Sequence, residues 1–404
     1  MINVGLIGIC GYAQEYLMYF LPMAEKGLIR LSAAVVINQE EVPEEVQRLQ
    51  QLGIRIYRTA EEMFAAEHAL DLVAIPTGIS SHYALSRMAI EHGCNVQVEK
   101  PLCGCVQEGL AFLELEKQAR QAGLFIAVGF QHGYAPEFHL AKEFLLNGRL
   151  GSPRRISVMG FWPRNDQYYT RNAWVGKIRD SAGAPVYDSP ASNAFAHYMN
   201  ISLFLAGKNQ EETALPKSVS AAMYRARPEI ETFDSCAITL KTEEEAEIRL
   251  FLSHACVENR NPHIIVEAER GTFDWQVDGP WQIYGKDAFY NGEVNGILAS
   301  GIAVKPHAGM FRNVFARIHD PKRFIYTPTM AFPHTCCIEA MHRETPIRIL
   351  SPEFITRRED RKLYAVQDIE HYFTDAFLGE NLFDICPWAG KEPAFSEVRA
   401  TGMP

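Results

Sequence analysis

The sequence lacks any run of about 18 uncharged apolar residues, the length a membrane-spanning helix needs. Its opening MINVGLIG has neither a basic leader nor a cleavage pattern, so a cytoplasmic location is expected. Basic runs are missing as well. Lys and Arg total 39 against 49 Asp and Glu, a formal charge of −10. That balance excludes the cationic face of a nucleic-acid binder, so neither nucleic acid nor membrane is expected as a partner. Cysteine is scarce and unpatterned. The nine thiols include Cys103 with Cys105 and adjacent Cys336 and Cys337, and neither pair has the C-x-x-C spacing of zinc or redox sites. Reduced thiols are the expectation. His254, His263, His307 and His334 are too dispersed to suggest a metal site. There is no internal repeat and no low-complexity stretch. With 404 residues and 47% apolar content, the chain can fill two large cores.

The first 130 residues alternate short apolar runs with helical segments. The runs start at Val4, Leu31, Ile54, Leu72, Asn95 and Leu124. Continuous apolar strands separated by helices predict an α/β domain with a parallel, doubly wound sheet covered on both faces. Pro22 is expected to break the first helix, which begins near residue 11. The alternation stops near residue 130, and domains of 1–130 and 131–404 are expected. The second is α+β: residues 217–226, 233–240, 246–253, 263–268 and 281–284 read as strands of a largely antiparallel sheet. Residues 137–147, 194–206, 329–342 and 361–378 read as helices.

The loop after the first strand is Gly8-Ile9-Cys10-Gly11-Tyr12-Ala13. Against the dinucleotide pattern G-x-G-x-x-G/A, Gly8 and Ala13 match and Cys10 takes the middle glycine. Gly11 offers a close backbone approach one place later. Gly8, Cys10, Gly11, Tyr12 and Ala13 are therefore the expected pyrophosphate loop. Asn38 ends the second strand, where an acid usually holds the adenosine ribose. No Arg follows at once, and Glu40 and Glu41 would repel a 2′-phosphate. NAD is expected rather than NADP. Thr77 and His82 follow the fourth strand at the same ligand edge, with helix-start capping as the alternative for His82.

Glu99-Lys100-Pro101 stands at the carboxyl end of the fifth strand, where open α/β sheets bind ligands. With VGLIGICGYAQEYL, DLVAIPTGISSH, VQVEKPL, GFQHGYAP, LNGRLGSPRRI and AFAHYMNISLFLAG, the chain resembles the Gfo/Idh/MocA oxidoreductases over nearly its whole length. The resemblance implies an N-terminal Rossmann domain and a C-terminal domain with a large open sheet used for homo-oligomerisation. It implies NAD(P)-linked chemistry at a sugar or cyclitol hydroxyl. It places Glu99 and Lys100 at the cofactor and gives Lys100 the reacting oxygen. It also implies a catalytic histidine within a D-x-x-x-H-x-x-D pattern. Here that segment reads Asn193 to Asn200, with His197 kept and both acids replaced.

The chemistry of the residue types agrees. Alcohol oxidation needs a base for the hydroxyl proton, and a histidine titrates near neutrality. A nearby ammonium stabilises an alkoxide. Asn193 can orient a group but supplies no charge, and Asp188 is the candidate to replace the lost acid. Gln131, His132 and Tyr134 are expected to line the cleft. Trp162, Tyr168 and Arg171, in the aromatic and Arg-rich segment 161–174, suit a sugar ring. A carbohydrate or cyclitol is thus the expected small-molecule partner. Two other readings remain: a glycosidase or lyase that oxidises transiently with NAD, and a non-catalytic nucleotide-sensing protein.

Overall fold

The structure is a computed structural model that describes residues 1–285 and 296–398. The chain forms two units: residues 1–103, 107–130 and 307–329, and residues 104–106, 131–306 and 330–404. No helix among the described residues is long and apolar enough to cross a membrane.

The first unit is built on six parallel strands: β1 (Ile2–Ile7), β2 (Ile29–Val35), β3 (Arg55–Tyr57), β4 (Leu72–Ile75), β5 (Asn95–Val98) and β6 (Ile126–Val128). Their order is β3-β2-β1-β4-β5-β6. The order reverses beside β1, which puts a ligand crevice at the carboxyl ends of β1 and β4. The connecting helices are α1 (Ala13–Glu25), α2 (Pro43–Gln51), α3 (Ala60–Ala66), α4 (His82–Glu91) and α5 (Val106–Gln121). Helix α1 runs through Pro22 rather than breaking there. The carbonyl that loses its donor belongs to Met18, a residue that is 59% exposed.

Residues 307–329 belong to this unit, not to the second domain where the sequence put them. Their helix needs a partner for the stripe Met310, Phe311, Val314 and Phe315. Aromatics of α1 supply it. Phe311 lies 4.9 Å from Tyr16 and 5.0 Å from Phe20, ring to ring.

The second unit carries a ten-stranded, mostly antiparallel sheet. Its strands are β7 (Pro153–Phe161), β8 (Pro216–Arg225), β9 (Ser235–Thr242), β10 (Glu247–Ser253), β11 (Arg260–Ala268), β12 (Gly271–Gln276), β13 (Pro280–Gly285), β14 (Ile297–Ile302), β15 (Arg348–Ile349) and β18 (Ser396–Glu397). The short pair β16 (Ile355–Arg358) and β17 (Leu363–Val366) forms a separate hairpin. It occupies part of the stretch read as helical from 361. The helices are α6 (Pro136–Leu146), α7 (Asp166–Thr170), α8 (Ala196–Ala206), α10 (Pro328–Glu344), α11 (Ile369–Leu378) and α12 (Leu382–Ile385), with α9 (His307–Arg317) in the first unit.

One face of this sheet presents Ile156, Val158, Ile238, Leu250, Ile264 and Trp275, all buried, and Phe138 of α6 packs on Trp275. The apolar part of the other face is Met159, Phe161, Ala222, Tyr224, Ala237 and Phe251. Ile369, Phe373 and Phe377 of α11, with Trp388, cover it. Beyond that patch the same face turns polar, with Arg155 paired to Glu267 and His263 2.8 Å from Asp274. Oligomerisation through this sheet, as the resemblance implies, is expected where an apolar face is left uncovered. For β7–β10 that premise fails, because the chain covers the face itself.

Lys142 of α6 is fully buried. Its ammonium donates to the Glu212 carbonyl and sits 3.8 Å from the centre of the Phe204 ring. Burial pushes its pKa down to about 7, against the pull of Glu212 and Glu244. In the unfolded chain it returns to about 10.4. The unfolded chain therefore binds the extra proton between those values, and Lys142 penalises folding most below pH 7. Lys142→Met should be more stable than wild type at pH 7. The gain should shrink by about 1.4 kcal/mol per pH unit toward pH ~10. Denaturant titrations at several pH values would show it; a difference independent of pH would refute it.

Candidate functional site

In the first unit the glycine loop has the backbone its sequence requires. Gly8 has φ +97° and Gly11 φ +59°, conformations that side chains rarely adopt. The Gly8 amide donates to Val35 O (2.9 Å), which carries the β1–β2 ladder into the turn. A Cβ on Gly8 would lie 3.9 Å from the Ala13 Cβ and 4.0 Å from Thr77, so the loop closes tightly over the β4 edge. Cys10, Gly11 and Tyr12 are exposed. Helix α1 starts at Ala13 with no side-chain cap. An exposed glycine turn feeding an uncapped helix N-terminus fits a pyrophosphate. Asn38 is exposed, and its amide donates to Glu41 (2.6 Å). Glu40 pairs with Arg58 at 2.6 Å, because β3 runs beside β2 and brings Arg58 to the same edge.

Lys100 follows β5 on a turn braced from within. Glu99 is buried, accepts from the Tyr16 hydroxyl (2.9 Å) and from the Lys100 N–H (2.9 Å), and sits against Gly129. Burial pushes its carboxyl up to about 7, opposed by the Lys100 ammonium and those two hydrogen bonds. His82 is buried on the other side of the turn. Its Nδ1 lies 3.0 Å from Pro101 O and its Nε2 3.2 Å from Thr77 O. Burial lowers its pKa. The sequence assigned Glu99 and His82 to the cofactor surface. Both side chains instead turn inward, and they hold the turn that presents Lys100. Thr77 Oγ1 is 2.7 Å from Ser81 Oγ, so it anchors the 3₁₀ turn Ile79–Ser81 before α4.

In the second unit α8 carries His197 on its first turn, after a π-helical turn at Pro190–Ala194 capped by Ser189. The His197 and His132 rings are 5.1 Å apart, and His132 also meets Tyr198 (5.2 Å) and Trp275 (5.7 Å). Gln131 and Tyr134 are buried beside them in sequence. Asn193 donates to Asp188 Oδ1 at 2.8 Å, and the Gly176 N–H donates to Oδ2 at 2.7 Å. The buried acid and the amide that replaces the expected aspartate thus form one unit. Asn200 is structural: it is buried, and its amide donates to Met330 O at 3.5 Å. Trp162 stacks on Phe195 at 4.6 Å, and His254 stacks on Phe195 at 5.2 Å. Tyr168 meets His254 at 5.7 Å. Burial, with Arg164 and Arg171 nearby, pushes His254 down to about 3.

Comparison with known proteins settles the lineage of both units. The model of an oxidoreductase family with an NAD-binding Rossmann fold, GFO/IDH/MocA, matches residues 2–130. The model of the GFO/IDH/MocA C-terminal domain matches residues 138–274. The chain belongs to the GFO/IDH/MocA oxidoreductase family. Its first unit is the family's NAD-binding Rossmann domain. Among solved structures, the WlbA dehydrogenase from Bordetella pertussis, in complex with NADH and UDP-GlcNAcA, is 20% identical. The match covers 85% of this chain and 95% of that one, with a TM-score of 0.66. GenD2 from gentamicin A biosynthesis, in complex with NAD, is 18% identical over 85% of this chain and 93% of its own, with a TM-score of 0.66. A super-repressor mutant of Gal80p from Saccharomyces cerevisiae is 15% identical over 85% and 95%, with a TM-score of 0.64. At these identities the likeness is one of fold.

Within this GFO/IDH/MocA chain, sequence reasoning missed Arg58 and Arg164. Arg58 reaches Glu40 only because β3 pairs beside β2. Arg164 could have been found, since it lies inside the aromatic segment already noted.

Proposed function

We propose that the protein is an NAD-dependent oxidoreductase moving a hydride between a hydroxyl of a sugar, glycoside or cyclitol and the nicotinamide. The observation that carries this reading is Lys100, presented at the carboxyl end of β5 on a turn braced by buried Glu99 and His82. Bound NAD would supply the hydride acceptor. Lys100 is assigned to hold the reacting oxygen and stabilise alkoxide character, and His197 to take the hydroxyl proton. Asn193 is assigned to position the site through Asp188. The UDP-GlcNAcA of the WlbA complex is a hydroxylated ligand of the expected kind. Nine free thiols suit a cytoplasmic setting. The test is a panel of sugars, sugar acids, glycosides and cyclitols with NAD, read as NADH formation and as substrate loss. NADH formation supports the dehydrogenase. Substrate loss without net NADH replaces it with transient oxidation by a glycosidase or lyase. Nucleotide binding without turnover replaces it with a nucleotide-sensing role, which the likeness to Gal80p keeps in view.

The same reading prefers NAD over NADP. Arg58, brought to the Asn38 edge by β3, is already paired with Glu40, and Glu41 faces Asn38. NAD should bind at least ~10-fold tighter than NADP, and Glu40→Gln should narrow the gap by releasing Arg58. Equal affinities in wild type, measured by calorimetry, would overturn the assignment.

A further inference from the structure

The second unit contains a cavity of about 500 Å³ lined by Arg164, Arg171, Arg361, Tyr168, Asn165 and Gln167, among others. Three arginines line it. None of them forms an ion pair among the described residues. Elsewhere Arg48, Arg58, Arg155, Arg260 and Arg343 each pair with a carboxylate. The neighbouring Arg227 and Arg357 are both engaged by Asp166, at 2.8 Å and 2.6 Å. The three lining arginines are held by other means. Arg164 stacks 4.5 Å over the Tyr168 ring and Arg171 3.6 Å over the same ring. Arg361 donates to Val257 O at 2.7 Å. The Arg164 Nε is buried with no hydrogen-bond partner among the described residues.

The wall is rigid. The Arg164 N–H donates to His254 O (3.1 Å), and the Asp166 N–H donates to Lys362 O (2.9 Å). The second bond ties the loop to the β16–β17 hairpin that carries Arg361. Asn165 caps α7 by accepting from the Tyr168 N–H at 3.1 Å. Guanidinium groups that line one concavity with no carboxylate among the lining residues repel one another. An anion with several oxygens relieves that repulsion and can take bidentate hydrogen bonds. Tyr168 and Trp162 belong to the packed ring cluster that includes Phe195, next to the His197 helix.

We propose that this cavity holds the anionic group, a carboxylate or a phosphoryl, of the carbohydrate substrate, which makes the substrate a sugar acid or a phosphorylated sugar rather than a neutral one. This rests on the reading of the protein as a sugar oxidoreductase, but its test does not depend on turnover. Calorimetry would compare glucose, glucuronate, glucose 6-phosphate and UDP-glucuronate as probes against wild type and the Arg171→Gln/Arg361→Gln variant, both exposed positions. A third variant, Arg164→Gln, tests the half-buried member. At least one anionic probe should bind wild type ~10- to 100-fold tighter than glucose, and the double variant should lose that margin while keeping its NAD affinity. Glucuronate against glucose 6-phosphate separates carboxylate from phosphoryl recognition. Anionic probes that bind no tighter than glucose, or equally well to the variants, would overturn the site. If the anions bind through the arginines but none is oxidised, the oxidoreductase reading fails and the site stands. If a neutral sugar is oxidised with unchanged KM in the variants, the site fails and that reading stands.

Discussion

Alanine at Lys100 or at His197 is expected to reduce turnover by ~10²–10⁴-fold with little change in NAD affinity. In the proposed reaction both groups serve one oxygen, Lys100 its charge and His197 its proton. Their losses should therefore fall far short of adding, and the double variant should be only slightly slower than the worse single one. Neither change should unfold the chain. Lys100 is half-buried on a turn whose brace is the Glu99 side chain and the Lys100 backbone N–H. His197 sits at the start of a helix held by its apolar neighbours. Asn193→Asp would place a second carboxylate against Asp188, 2.8 Å from the present amide. Two close acids share a proton, and the pKa governing the rate should rise. Steady-state kinetics on the true substrate, with NAD titrations alongside, decides the matter. Near-normal turnover in both Lys100→Ala and His197→Ala would show that the chemistry lies elsewhere.

Phe373→Ala is expected to destabilise the second unit by about 3–5 kcal/mol, the usual cost of emptying a buried phenylalanine site. Phe373 is fully buried on α11, between Phe251 (5.8 Å) and Trp388 (6.0 Å). Its loss leaves a cavity over Met159, Phe161 and Phe251 and loosens the cover of that sheet face. An opened apolar face associates, so the variant should also scatter light at concentrations where wild type does not. Leu378→Ala is the control. Leu378 ends the same helix but is 70% exposed, and its replacement should change stability by less than ~0.5 kcal/mol. A denaturant midpoint for Phe373→Ala within error of wild type would show that α11 does not hold this face.

Period and punctuation made the first unit legible. Apolar runs of strand length between helices dictate a parallel sheet, and a glycine turn after the first of them dictates where an anion can approach the backbone. Gly8 and Gly11 do adopt positive φ, and Lys100 does stand at the carboxyl edge of β5. The local signal was weaker where a residue's role depends on which way it faces. Glu99 and His82 have the right position for a cofactor surface, yet both turn inward, because Tyr16 and the Pro101 and Thr77 carbonyls lie behind them.

The amino-acid sequence by itself determined the doubly wound first unit, the family and the candidate pair Lys100 and His197, since each is written in residues close together along the chain. Only the tertiary structure decided that residues 307–329 complete the first unit, that α11 covers the sheet, and that Arg164, Arg171 and Arg361 line one cavity. The physical reason is the same for all three. An amphipathic helix or an arginine states that it needs a partner, but the partner is chosen by surfaces that meet only after the strands have paired.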